Sequence, residues 1–383
     1  MFRRNRRLLL DLGWLAGILI IALGCTSANR GTGVAPVTGS QPTVSSEWDA
    51  IAAAARREGR VVLNGPPTAD ARDALTEGFQ EKYPEITVEY DGQPGSAVPP
   101  KLLAERDAGL YRVDLIINGT TSQLDLVKAG AMDPVRPYLV GPETRDESVW
   151  LGGKIEFADY AATHNLIFAH IVKAPLAYNP ATVSPSEITS YQDLLKPRFK
   201  GRMIMFDPRS AGAGFTTASF FYLTPSLGKE YLRQFLAQQV VFSRDDRQIM
   251  DGVVRGTYDV AVAPGDKTVA EMQNRGINVA IIAPEQLREG SYLTAGVGAV
   301  GVVANGPNPN ATKVYLDYLL SREGQLAFSK GVGYVSRRLD VPSDHLPDFL
   351  APKPGIEYDG VYKEKYYELR VEVQDFVAAN AGS

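Results

Sequence analysis

Apolar positions along this chain follow two alternating rhythms. Trp48, Ile51, Ala52 and Ala55 fall on one helical face, with Ser46 as candidate N-cap and Gly59 as stop. RVVLNG (60–65) then reads as a short buried strand ending in a turn. DARDALTEGFQEKYP (70–84) has helical spacing and stops near Pro84, and ITVEYD (86–91) alternates as a strand does. PKLLAERDAG (100–109) carries Pro near its first turn and Gly past its end, the usual asymmetry of a helix. A strand over 113–118 and a helix over 122–130 follow. Strand and helix alternate, which predicts an α/β unit with a largely parallel sheet.

The rhythm then changes. Residues 156–179 are mostly apolar and β-prone with no helical period, and a second α/β series follows. It has strands over 202–207, 240–243, 258–263 and 278–284, and helices over 214–223, 247–256 and 267–276. Residues 293–306 are again β-prone, 311–331 read as a helix, and a Pro- and charge-rich tail ends in a helical stretch over 363–379. Two α/β units joined by two β-prone segments predict a two-lobed molecule with two hinge crossovers. Open α/β sheets bind ligands beyond the carboxyl ends of their strands, so two such rims would face one cleft.

The start of the chain has a different logic. Arg3, Arg4, Arg6 and Arg7 precede an apolar run over 12–23, too short to span a bilayer and suited to an export signal. Ala22-Leu23-Gly24-Cys25 resembles a bacterial lipobox, which makes Cys25, the one cysteine of 383 residues, the lipid-bearing start of the mature protein. The segment from Thr26 to Ser45 is rich in Ser, Thr, Gly, Pro and Ala. About 20 such residues reach about 25 Å, enough for a flexible tether. The expected organisation is therefore a signal peptide at 1–24, a tether at 25–46, lobe 1 at 47–160, lobe 2 at 161–289, a return to lobe 1 at 290–340, and a tail at 341–383 packing on lobe 2. The body is expected outside the cell membrane, in the periplasm or at the cell exterior, touching the membrane through its lipid alone.

Charge and composition narrow the chemistry. The formal charge is −4, and the first 24 residues contribute four Arg and one Asp, so the remainder carries −7. That argues against nucleic acid as a partner. With Cys25 lipidated no thiol remains for disulfides or Cys-ligated metals. The three histidines, His164, His170 and His345, form no metal-ligand spacing, and no GxSxG elbow or Walker loop occurs. Gly296 to Gly301 spell GxGxxG, but VVANGP follows as more strand and a turn, so a dinucleotide site is not expected.

WDAIAAAARREGRVVLNG, FQEKYPEITVEY, LLAERDAGLYRVDLIING and LVKAGAMDPV resemble the first lobe of bacterial extracellular solute-binding proteins. The branch includes ferric-iron, sugar-phosphate, thiamine and phosphonate binders of ABC importers. AYNPATVSPSEITSYQDLLKPRFKGRMIMFDPRSAGAG, GTYDVAVA and YLDYLLSREGQLAFSKGVG resemble its second lobe and late helix. The resemblance covers about 48–338. It implies a periplasmic-binding fold that closes on a solute and delivers it, as a monomer without cofactor, to a membrane permease. Ferric members use a His, a Glu and two adjacent tyrosines. Here Pro67, Gly119, and Asp266 with Lys267 stand at those places, and the pair Tyr366-Tyr367 lies on the tail, where packing is its expected role.

An oxygen-rich anion fits better. Ser210, Gly212 and the loop DPRSAGAGF (207–215) lead into a helix start, where free N–H groups and the macrodipole favour negative charge. Arg209 can add a bidentate grip and Lys267 a point charge. Asn64, Gly65, Ser96, Thr120 and Thr121 lie on strand-end loops of the first lobe, and Asp266 can hold a hydroxyl or amine of the same ligand. Ser243 to Asp246 read as a helix cap, and the histidines as core or hinge residues. The alternatives are a ferric-iron receptor binding the metal with an anion, a receptor feeding a sensor, and an exported α/β enzyme.

Overall fold

The first helix begins earlier than its caps suggest. A computed structural model of the chain describes residues 44–210 and 212–381, and this helix runs Val44–Glu58. Ser46 therefore lies inside it, and the last residues assigned to the tether are helical. The signal at 1–24, Cys25 and the tether up to residue 43 lie outside the described residues. No described helix is long and apolar enough to cross a membrane.

Three sheets organise the rest. In the first, Arg60–Gly65 lies between Thr87–Gly92 and Leu115–Asn118, all parallel. Ala299–Val303 then joins Leu115–Asn118 antiparallel, and Leu166–Ile167 and Glu156–Phe157 complete the path. Seven strands belong to this sheet, counting Met132–Asp133, which pairs off the path. The sheet is mixed rather than largely parallel because its later strands belong to chain entering or leaving the second lobe. Leu63 and Leu115 pack beneath Phe79 of helix Ala69–Lys82 and Tyr315 of helix Pro309–Leu319, all fully buried. Each such side chain stabilises by about 1.5–3 kcal/mol.

The second lobe holds five strands in the order Val241–Ser243, Met203–Phe206, Val260–Val262, Leu176–Tyr178 and Ala280–Ile282. Its helices Ala213–Leu223, Asp246–Val254 and Asp266–Asn274 lie close to the expected spans. Asp245 caps the second of these, accepting from Arg247 N and Gln248 N at 2.8 and 3.2 Å. Helix Gly228–Leu236 was not expected, although Tyr231, Leu232, Phe235 and Leu236 give it a buried face at helical spacing. The helix expected over 311–331 is two, Pro309–Leu319 and Arg322–Val332, the second capped by Ser321.

A four-stranded sheet joins the lobes: Val335–Ser336, Ala169–Val172, Tyr292–Thr294 and Asp359–Gly360. The chain crosses at both β-prone segments. The first crossing falls after Leu166–Ile167, which still pairs in the first sheet, later than the boundary at 160. The GxGxxG glycines serve packing. A Cβ on Gly298 would meet Ala169 backbone at 2.5 Å, and one on Gly301 would strike Met132.

The tail departs most from expectation. Val373 and Val377 of helix Arg370–Asn380 are buried in the second lobe's core. Yet Tyr367 donates to Asp125 of the first lobe at 2.6 Å, and Glu364 N donates to Ala158 O at 3.0 Å. The tail spans both lobes instead of packing on one.

Candidate functional site

Three strand-to-helix turns open onto one cavity of about 340 Å³ between the lobes. From the first lobe come Gly119, Thr120 and Thr121, where strand Leu115–Asn118 gives way to helix Thr120–Lys128. From the second come Gly212 and Ala213 at the start of helix Ala213–Leu223, and Asp266, first residue of helix Asp266–Asn274. An α-helix leaves its first N–H groups without intrahelical acceptors. The N-cap residues here are Gly119, Gly212 and Gly265, and none supplies a side-chain acceptor. Gly212 has φ of +142°, which a side chain would strain. Gly214 lies so close to the Phe206 carbonyl that a Cβ there would strike it, so the turn into this helix tolerates no bulk.

The hinge supplies the charge. Lys173, just past strand Ala169–Val172, is only 2% exposed and donates to Asp266 Oδ2 at 2.8 Å and to the Pro264 carbonyl. Ala174 N donates to the other Asp266 oxygen at 2.8 Å. Asp246 packs behind, under Gly265. Its burial raises its pKa, against the pull of Lys173. Thr294 and Tyr334 close the hinge side of the cavity.

Of the expected site residues, Ser96, Thr120, Thr121, Gly212 and Asp266 line this cavity. The others lie elsewhere. Asn64 is buried, and its amide nitrogen donates to Asp91 O at 3.1 Å. Gly65 faces the Tyr90 ring. Arg209 turns back onto Asp207, Nε to Oδ1 at 2.8 Å and Nη2 to Oδ2 at 3.2 Å, and lies over the Phe242 ring. Burial opposes ionisation of Asp207, but Arg209 and Arg244 hold its pKa below the usual carboxylate range. Ser210 Oγ is 3.5 Å from Asp207 O. Lys267 points away from the cavity and pairs with Asp70 of the first lobe.

Sequence reasoning missed Lys173 and the tail. Lys173 could have been noticed as the single charge in HIVKAPLAY, an otherwise apolar run. The tail contributes Tyr362, Lys363, Tyr366 and Tyr367 to the cavity wall, where packing alone was expected of the tyrosine pair. Burial and an acidic partner push Tyr367 up to about 12, and the same causes raise Tyr362 and Tyr366. Their hydroxyls donate to Asp125, Glu156 and Asp359 respectively. His170 is buried in the hinge against Arg337, with its pKa lowered to about 3 by burial and then by that charge.

A cleft between two α/β lobes, floored by a hinge sheet and rimmed by helix starts, defines a solute receptor. The chain matches the family model described as bacterial extracellular solute-binding protein over residues 61–331, and it belongs to that family, which supplies ABC importers with their substrates. It is 26% identical to iron uptake protein A1 of Synechocystis over 171 residues, 39% of this chain and 44% of that protein, so it spans under half of that relative's length. Two solved structures share the fold. One is the Trichodesmium protein IdiA (FutA) in complex with iron and citrate (TM-score 0.65, 19% identity, 85% of this chain and 100% of the other). The second is the periplasmic binding protein AfuA from Actinobacillus pleuropneumoniae with fructose-6-phosphate (TM-score 0.65, 17% identity, 84% and 98%).

Proposed function

We propose that this protein is an exported, lipid-anchored receptor that captures a small, oxygen-rich anion between its lobes and presents it to an ABC permease. The observation that carries this reading is the convergence of three helix N-termini, each without a side-chain cap, on one cavity. Partial positive charge and free donors from two lobes favour an anion that both can hold at once. Asp266, held by Lys173, offers an acceptor for a hydroxyl on the same solute.

The donor set supports an anion over bare ferric iron. Fe³⁺ calls for phenolate and carboxylate oxygens. The tail phenols are committed to carboxylates and titrate above their ordinary range.

A thermal-shift screen of phosphates, phosphonates and carboxylates, repeated with Fe³⁺, tests the reading. A ligand at 100 times its Kd stabilises by about 2.7 kcal/mol. Thr121→Glu, which adds a carboxylate at one helix start, is expected to abolish the shift, with Thr121→Gln keeping most of it. A response to Fe³⁺ alone, unaffected by Thr121→Glu, would sink the anion reading.

A further inference from the structure

The family model ends at residue 331, yet one wall of the cavity comes from beyond it. Val361, Tyr362, Lys363, Tyr366 and Tyr367 all face the solute space. This wall is fixed from two sides. Helix Arg370–Asn380 is set in the second lobe, with Tyr222 donating to Glu372 at 2.5 Å and Gln374 donating to Arg209 O at 3.2 Å. On the first lobe, Asp125 receives both the Tyr367 hydroxyl at 2.6 Å and Arg370 Nη1 at 2.9 Å. Asp125 sits on helix Thr120–Lys128, whose first turn opens onto the same cavity. The tail is thus tied to one of the helix starts offered to the solute.

Tyr362 and Tyr366 are buried, and Tyr367, the least buried of the three, lines the cavity with its hydroxyl turned to Asp125 and with Lys128 and Arg370 at 4.3 and 4.9 Å from its ring centre. Leu124, Phe215 and Val297 add apolar surface to the same cavity. A volume of about 340 Å³ is several times a water molecule's share of the liquid, about 30 Å³, and more than a bare oxyanion fills. Rings and aliphatic side chains contact carbon well and add little for a bare oxyanion.

We infer that the C-terminal segment 359–380 is a structural wall of the solute site, held to the first lobe through Asp125 together with Glu156 and Ala158, and that it selects an anion carrying an organic body over a bare inorganic one. The selectivity rests on the anion reading above; the attachment to Asp125 does not.

Two measurements on the full chain separate those parts. The first is titration with two probes, inorganic phosphate and glucose 6-phosphate. The native chain should bind the sugar phosphate at least tenfold more tightly. Tyr367→Ala should lose at least tenfold for it, with less than threefold change for inorganic phosphate. Tyr367→Phe, which keeps the ring, should retain sugar-phosphate binding within threefold. Equal affinity of the native chain for both probes, or equal loss of both in Tyr367→Ala, overturns the selectivity. The second is hydrogen exchange without ligand. Asp125→Ala should speed exchange at least tenfold in 366–370, around its two partners, while strand Asp359–Gly360 and the rest of the hinge sheet stay protected. Unchanged exchange there overturns the wall's attachment. If the native chain binds neither probe, the selectivity falls together with the anion reading, and exchange alone decides the attachment.

Discussion

Lys173 Nζ lies 2.8 Å from Asp266 Oδ2, with the lysine side chain 2% exposed and the aspartate 14%. A buried ammonium is costly to desolvate and is tolerated because a carboxylate and the Pro264 carbonyl receive it. Removing one partner strands the other. Asp266→Ala is expected to destabilise by about 3–5 kcal/mol, and Lys173→Met with Asp266→Leu by much less. Urea denaturation of the single and double variants measures this; equal stability of native and Asp266→Ala would show that the pair is not buried.

His170 predicts a pH dependence. Its folded pKa is near 3, below the unfolded value of about 6.5, because burial and Arg337 disfavour the imidazolium. Between those values the unfolded state binds one more proton. The contribution is therefore full above pH 6.5 and is lost as pH falls toward 3, by about 1.4 kcal/mol per unit. Asp317, pushed up to about 6 by burial, gives an opposite slope over part of this window, so the check is the difference in unfolding free energy between the native chain and His170→Asn, which should shift with this slope from pH 6 to pH 4.

Asp245 caps helix Asp246–Val254 with two backbone bonds. Asp245→Ala should cost about 1 kcal/mol and Asp245→Ser much less. A shift in melting temperature shared by both variants would argue against the cap.

Lys267 and Asp70 pair across the lobes with both side chains about half exposed. Solvent screens such a pair, so it contributes little to stability. Lys267→Ala should therefore lower stability only slightly, with the difference vanishing in 1 M salt, where screening acts within about 3 Å. A loss of solute binding that survives high salt would restore Lys267 as a ligand contact, the role its sequence position suggested.

The two-lobed α/β fold was legible because alternation of strand and helix is local. RVVLNG, the 70–84 helix and the strand near 260 need no knowledge of the rest of the chain. The lining of the candidate cavity was legible where it follows from that alternation, as at Thr120, Gly212 and Asp266, which stand at helix starts. It failed where side-chain direction decides. Arg209 and Lys267 stand beside the right turns but are drawn off by Asp207 and Asp70. Lys173 and Tyr367 reach the cavity through contacts 93 and 242 residues apart in sequence; the lone charge in HIVKAPLAY marks Lys173 as unusual, but no local pattern names either partner.

The strand Ala299–Val303 lies inside the first sheet, between Leu115–Asn118 and Leu166–Ile167. A chain emerging from its N-terminus must therefore wait for its last quarter before that sheet can close. Until then the edge of Leu115–Asn118 stays open, and the first lobe has no native partner for it. Completion comes only once the strands of the second lobe's sheet, up to Ala280–Ile282, have been made, so the lobe whose strands come first in the sequence is the last to close its sheet.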